Sequence, residues 1–234
     1  MNKFWKWNDS AVQIPELILE GEIASETWWG DEVTPQIFKD ELEKHKGKDI
    51  TVWINSPGGD VIAGSQIYTM LKEHQGKVSV KIDGLAASSA SFIAMAGDTI
   101  QMSPTAMMMI HLPSTFDWGD KKDFQKTIAR LEEIEAAIIN AYELKTKLPR
   151  DELAKMMEDE MWMNAYRAKE LGFVDEVLYT NIEEKDQVGF DFRKKAVSNC
   201  IQNSVKQIQE KIDKIQNELE LEKLKIEIDL LSIQ

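Results

Sequence analysis

A serine in a segment of small residues is the first candidate nucleophile of this chain. Ser88 ends the sequence Gly84-Leu-Ala-Ala-Ser88, which follows a β-branched strand and a glycine turn. A strand, a turn and then a helix would place Ser88 at a helix N-terminus, where free backbone N–H groups can stabilise an oxyanion. This follows the logic of a nucleophile elbow without the G-x-S-x-G pattern. The alternative is a closely packed helix that uses serine as a small residue, which is our interpretation of Ser91 and of the side chain of Ser89.

One of the three histidines is placed for general base catalysis. His111 ends the apolar strand predicted over residues 106–110, and the carboxyl end of a buried strand is the usual location of an α/β active site. A capping or packed histidine would explain the same placement. His45 and His74 lie at Lys/Glu-rich helix ends, where positive charge is favourable, and we expect both to be solvated.

A glycine-rich turn supplies candidate oxyanion donors. Asn55-Ser-Pro-Gly-Gly-Asp60 follows a buried strand and precedes a helix. Paired glycines expose backbone N–H groups, which suits an oxyanion hole or a grip on the backbone of a substrate. A plain β–α turn is the alternative.

A serine–histidine pair also needs an acid to orient the imidazole. Glu158, Asp159 and Glu160 stand together just before Met161-Trp-Met163. Acidic clusters are usually solvated surface, so at least two of these three carboxylates are expected to have no role in catalysis.

Together these motifs resemble the Clp-type serine proteases, the ClpP family. The resemblance covers residues 14–178. Within them the chain carries four of that family's motifs in the family's order: Ile54-Asn-Ser-Pro-Gly-Gly-Asp-Val61, Gly84-Leu-Ala-Ala-Ser88, Met109-Ile-His111 and Ala165 to Gly172-Phe-Val-Asp175. Two further segments resemble the phage and prophage branch of head maturation proteases: Ser25-Glu-Thr-Trp-Trp-Gly-Asp-Glu32 and Glu160-Met-Trp162.

The resemblance implies a triad of Ser88, His111 and an acid at Glu160, with Asp159 as the fallback acid. Most family members have aspartate at this position, so the glutamate is a departure. The resemblance also implies that the backbone N–H groups of Gly59 and Ser89 form the oxyanion hole. It implies no cofactor and no metal.

The resemblance further implies an assembly and partners. Family members form heptameric rings, two of which stack into a tetradecamer that encloses the sites, and the helix over residues 121–147 matches their interlocking handle. The expected substrate is a polypeptide. Capsid or scaffold proteins and a Clp ATPase are the candidate protein partners.

Periodicity places these motifs on alternating strands and helices, which predicts an α/β fold with a largely parallel sheet. The resemblance refines this to a ClpP/crotonase-like repeated β-β-α superhelix with a protruding handle helix. The predicted strands cover residues 14–23, 49–54, 77–82, 99–102, 106–110 and 173–178. The predicted helices begin at Thr34-Pro35 and after Asp60, and cover residues 85–96, 121–147, 150–157 and 165–171.

Composition excludes several classes of protein. The 234 residues carry a net charge of −13, which argues against binding to nucleic acid, where a basic surface is needed. No apolar run approaches the roughly 18 residues of a membrane span, and residues 1–9 do not form a secretory signal. The single cysteine, Cys200, excludes an internal disulfide. We therefore expect a cytoplasmic protein that does not bind membranes.

The end of the chain differs from its body, because no proline follows Pro149 and no glycine follows Gly189. Residues 1–13 are interpreted as an N-terminal extension, 14–180 as the peptidase domain and 181–200 as a linker. Residues 201–234 are interpreted as a helical tail with a partial heptad stripe that needs a partner helix.

The sequence leaves three hypotheses for the function of the chain. The leading hypothesis is a serine endopeptidase of phage or prophage type that processes capsid or scaffold proteins through an acyl-enzyme. The second is the proteolytic subunit of an ATP-dependent Clp protease. The third, which needs no catalysis, is a component of capsid assembly with a vestigial site.

Overall fold

Eight strands and six helices make up the part of the chain that the computed structural model describes, which is residues 4–9, 14–24 and 35–180. The strands are β1 (Trp5–Asn8), β2 (Glu16–Ile23), β3 (Ile50–Gly59), β4 (Val78–Ala87), β5 (Thr99–Met102), β6 (Met107–Ile110), β7 (Met161–Asn164) and β8 (Glu176–Val177). The helices are α1 (Pro35–Glu43), α2 (Val61–Lys72), α3 (Ser89–Ala94), α4 (Lys121–Thr146), α5 (Arg150–Glu158) and α6 (Ala165–Glu170).

All eight strands join one sheet whose central part is parallel. The order is β1-β2-β3-β4-β5-β8, and every neighbouring pair after β1-β2 is parallel. A second path leaves β4, which pairs in parallel with β6, and β6 pairs antiparallel with β7. The predicted mixed α/β fold with a largely parallel sheet is confirmed, while the finer repeat pattern stays a prediction.

Strand β4 changes partners halfway along its length. Its first half pairs with β5, from Ser79 opposite Thr99 to Ile82 opposite Met102. Its second half pairs with β6, up to Ala87 opposite Met109. The prediction of a helix from residue 85 was therefore wrong at its start, because residues 85–87 are held in the sheet by this pairing and α3 begins only at Ser89.

The core lies between the sheet and the helices packed on it. Alternate residues of the central strands are completely buried, among them Val52, Val80 and Ile100, which lie in one row across β3, β4 and β5. This period of two is the pattern of a sheet with a buried face. The helix α2 begins after Asp60, whose side chain accepts a hydrogen bond from the N–H of Ala63 at 2.7 Å.

Several elements depart from the predicted ones at the ends of the sheet. β1 was not predicted, and it lies within the segment interpreted as an extension; β7 was not predicted either. β8 covers only two of the six residues predicted as its strand.

His45 is buried and stacks on Trp7, with ring centroids 4.0 Å apart, so the prediction that it is solvated was wrong.

The helix α4 has the bounds predicted for it to within one residue. A capping box formed by Asp120 and Asp123 closes its N-terminus, and Lys147 ends it in the left-handed conformation, with φ of 63°. Its C-terminal half packs on the core through residues such as Ile138 and Tyr142.

Some predictions fall on residues that the structure does not describe. These are the Thr34 cap of α1, the Trp-rich segment at residues 25–32, Cys200, the linker at 181–200 and the coiled-coil tail at 201–234. Over the described ranges, no helix is both long and apolar enough to span a bilayer.

Candidate active site

The backbone at Ser88 is folded into a conformation that residues other than glycine rarely adopt. Its φ is 52° and its ψ is −125°, at the junction where β4 ends and α3 begins. The N–H of Ser88 donates a hydrogen bond to the carbonyl of Met109 in β6, at 3.0 Å. Such strain persists only where the surrounding structure imposes it, and it is concentrated at functional sites.

The glycine-rich turn lies against this junction. A Cβ atom on Gly58 would sit 2.6 Å from the carbonyl oxygen of Ala87 and 2.7 Å from Cβ of Ser88. At Gly59, where φ is 148°, a Cβ would sit 2.0 Å from the carbonyl oxygen of Ile23. The backbone of the turn therefore lies so close to the β4–α3 junction at Gly58, and so close to β2 at Gly59, that only glycine fits at either position.

His111 lies beside Ser88 because their strands are neighbours in the sheet. The pairing of Ala87 with Met109 leaves Ser88 and His111 at adjacent strand ends. The Nε2 atom of His111 is 2.8 Å from Oγ of Ser88, which is hydrogen-bond distance. This is the contact through which an imidazole can remove a proton from a serine hydroxyl.

The surroundings of His111 favour its neutral form. Burial lowers the pKa of the imidazole below its ordinary value, and the nearby carboxylate of Glu160 raises it, which offsets part of that decrease. A neutral imidazole at neutral pH has a free ring nitrogen that can accept a proton, which is the property that a general base needs.

The strand register also brings Glu160 towards His111. Ile110 of β6 lies opposite Met161 of β7 in an antiparallel pair, so the next residues outward are His111 and Glu160. Glu160 is exposed and has φ of 47°. Its Oε1 accepts a hydrogen bond from the indole N–H of Trp162 at 3.1 Å, and in the part of the chain that the structure describes no hydrogen bond or ion pair joins Glu160 to His111.

The fallback acid occupies a different environment. Asp159 is the exposed C-cap of α5, and its backbone N–H bonds to carbonyls of that helix. Glu160, and not Asp159, is the carboxylate that shifts the pKa of His111.

Comparison with known proteins identifies the family. A family model described as Clp protease matches residues 10–181. The chain belongs to the Clp protease family. It is 31% identical over 176 residues to the ATP-dependent Clp protease proteolytic subunit 1 of Chlamydia pneumoniae, covering 70% of this chain and 92% of the relative. It is 34% identical over 134 residues to the ATP-dependent Clp protease proteolytic subunit of Bacteroides fragilis, covering 56% of this chain and 65% of that relative.

Membership of the Clp protease family makes the chain a serine peptidase. The hypothesis of an assembly component without catalysis is set aside accordingly. The phage branch stays a prediction. Within residues 4–9, 14–24 and 35–180, no group of three or more His, Cys, Asp or Glu side chains is placed to hold a metal ion.

Three polar contacts at this Clp-type site are not predicted by the sequence. The sequence indicates Trp162 only as part of the Glu160-Met-Trp162 motif, yet its indole N–H donates a hydrogen bond to Glu160. The sequence predicts Ser91 as a small packing residue, yet its Oγ donates to the carbonyl of Ser88 at 2.5 Å and lies 2.7 Å from the hydroxyl of Tyr142. The signal that the sequence offers is a tyrosine, Tyr142, within the helix predicted over residues 121–147, because a tyrosine hydroxyl that becomes buried requires a partner.

The charge of Glu160 can be tested through the pH dependence of the site. Because the carboxylate raises the pKa of His111, Glu160→Gln should lower that pKa further. Attack needs the neutral imidazole, so the acidic limb of the pH–rate profile should move to lower pH. The rate on the plateau of the profile should also be lower than that of the wild type. The measurement is the rate of inactivation by a fluorophosphonate from pH 5 to 8. Asp159→Asn is the matched control and should leave the limb in place; a limb that moves only in the control would assign the acid to Asp159.

Proposed function

We propose that the chain is an endopeptidase that cleaves polypeptides through an acyl-enzyme on Ser88, with His111 as general base and Glu160 as the orienting acid. The observation that carries this proposal is the 2.8 Å contact between Nε2 of His111 and Oγ of Ser88. It is supported by the strained backbone at Ser88 and by the lowered pKa of His111, two features that catalytic sites commonly share.

The reaction follows from these positions. Oγ of Ser88 attacks the carbonyl carbon of a peptide bond while its proton passes to Nε2 of His111. The backbone N–H groups of Gly59 and Ser89 stabilise the resulting oxyanion, at about 3 kcal/mol per donor. His111 then protonates the departing amine, and the acyl-enzyme is hydrolysed by a water molecule that the same imidazole activates.

Glu160 is our choice of acid over Asp159 for two reasons. The β6–β7 register brings it level with His111, and its charge acts on that imidazole. A glutamate is one methylene longer than the aspartate usual in the family, so its carboxylate can reach a histidine from a strand that lies slightly further away. In the structure that carboxylate bonds to Trp162, and we propose that it turns to Nδ1 of His111 when the site is engaged.

Nucleophilic serine chemistry is tested directly by a fluorophosphonate probe. We expect the wild-type protein to be labelled once per chain and Ser88→Ala to be unlabelled. Ser65→Ala, which removes an exposed hydroxyl on α2, is the control and should label like the wild type. Intact-mass spectrometry reads out the adduct. A wild-type protein that does not react, or a labelled Ser88→Ala, would overturn the proposed nucleophile.

We further propose that the peptidase works as a homo-oligomer, a ring or a double ring. The N-terminal half of α4 and the segment before it expose large apolar side chains: Phe116, Trp118, Phe124 and Ile128. Two of them, Phe124 and Ile128, are four residues apart and share one face of the helix. An exposed apolar surface of this kind is typical of a protein–protein contact. A net charge of −13 per chain opposes association, so apolar contact must supply the attraction.

The oligomer can be weighed by native mass spectrometry. The double variant Phe124→Ser/Ile128→Ser should reduce the mass of the particle without unfolding the chain, because both side chains are about half exposed or more, at 49% and 57%. Gln125→Ser, an exposed polar position on the same helix, should leave the particle intact. A wild-type monomer, or a double variant of unchanged mass, would contradict the proposal.

Two biological roles are compatible with this peptidase. The Glu160-Met-Trp162 segment and the Trp-rich segment at 25–32 favour processing of capsid or scaffold proteins by a maturation protease. The relatives are proteolytic subunits of ATP-dependent Clp proteases, which favours a proteolytic subunit that works with a Clp ATPase.

A single assay separates the two roles. As a maturation protease, the purified particle should cut a capsid or scaffold precursor at a few sites without ATP. Adding a Clp ATPase and ATP should leave that rate unchanged. Degradation of a folded protein that requires both the ATPase and ATP would assign the second role instead. Ser88→Ala is the control in both arms.

A further inference from the structure

A chain of buried hydroxyl groups connects helix α4 to the backbone of Ser88. The hydroxyl oxygen of Tyr142, in α4, is 2.7 Å from Oγ of Ser91, in α3. Oγ of Ser91 in turn lies 2.5 Å from the carbonyl oxygen of Ser88. Tyr142 is 1% exposed and Ser91 is completely buried, so water does not compete for these bonds.

The direction of each hydrogen bond follows from the atoms present. A carbonyl oxygen can only accept, so Ser91 must donate its one hydroxyl hydrogen to Ser88. The remaining bond then has the hydroxyl of Tyr142 as its donor and Oγ of Ser91 as its acceptor. Burial raises the pKa of Tyr142 well above its ordinary value, so the phenol stays protonated and can always donate.

These bonds hold the residue whose backbone is strained. The N–H of Ser88 is bonded to Met109, and its carbonyl accepts from both the backbone N–H and the side chain of Ser91. Both peptide groups that flank its Cα atom are therefore held. Because φ of 52° is unfavourable for serine, the conformation depends on such contacts.

Packing alone does not account for a tyrosine at this position. The ring of Tyr142 packs edge-on against Phe173, with centroids 5.5 Å apart, and a phenylalanine would make the same contact. The added hydroxyl must leave water on folding, which is unfavourable unless the group is bonded. Its bond leads to Ser91, and from there to Ser88.

We propose that Tyr142 is a positioning residue, which acts through Ser91 to fix the carbonyl of Ser88 and thereby the orientation of the Ser88 hydroxyl towards His111. This inference rests on the proposed role of Ser88 as nucleophile. It also makes the site depend on α4, the helix whose other half carries the exposed apolar residues.

The test compares three variants with the full-length wild-type chain: Tyr142→Phe, Ser91→Ala and the double variant. For inactivation by a fluorophosphonate, Tyr142→Phe should lower the limiting rate by about 10-fold, because a small displacement of a reacting group lowers the reaction rate substantially. The half-saturating concentration of the probe should stay unchanged. Ser91→Ala should lower the limiting rate at least as much. The double variant should match Ser91→Ala, since residues that act in series are not additive.

Folding is controlled separately. Tyr142→Phe keeps the ring, and the double variant removes both polar groups together, which is close to neutral for stability. Tyr166→Phe, at an exposed tyrosine of α6, should behave as the wild type in every assay. Thermal unfolding of each variant establishes the folded fraction at the assay temperature.

The outcomes are distinct. A limiting rate for Tyr142→Phe equal to that of the wild type, or one reduced only in proportion to the folded fraction, would overturn the inference. Additive losses in the double variant would also overturn it. A wild-type protein that the probe does not label would instead overturn the proposed function.

Discussion

The pairing of β4 with β6 is the constraint on which the rest of the site depends. It places Ala87 opposite Met109, so the two strands end side by side, one with Ser88 and the other with His111. Neighbouring strands are about 5 Å apart, which brings the side chains that follow them within hydrogen-bonding reach. β4 can form this pair only because it has already left β5 at Ile82. The exchange of partners within one strand therefore creates the position at which Ser88 and His111 meet.

Close backbone contacts make that position specific. The glycine turn after β3 approaches the junction at Ser88 so closely that a Cβ on Gly58 would overlap it. The carbonyl of Ser88 is held by Ser91, and Ser91 is bonded to Tyr142 of α4. The strained backbone at Ser88 is thus held by sheet, turn and helix together, consistent with preorganised catalysis, in which groups are fixed before the reaction begins.

Glu160, the proposed acid, is less constrained than Ser88 and His111. Glu160 is exposed, bonds to Trp162 and acts on His111 through its charge. Ser88 and His111 are held by buried strands, whereas Glu160 precedes the short strand β7 at the outer end of the sheet. A carboxylate in this position has little desolvation to overcome and can exchange one partner for another, consistent with the proposal that Glu160 turns from Trp162 to His111.

The sequence by itself determined the features that depend on residues close together along the chain. Strand periodicity, the paired glycines and the small residues around Ser88 predicted the α/β class, the turn and the location of Ser88 at the start of a helix, because each depends on neighbours along the chain. Only the tertiary structure decided that residues 85–87 stay in the sheet, that Glu160 lies level with His111 and that Ser91 bonds to Tyr142. These facts depend on contacts between residues 22 to 57 positions apart. Strand register and buried hydroxyl pairs are settled when distant segments pack, and no local pattern records them.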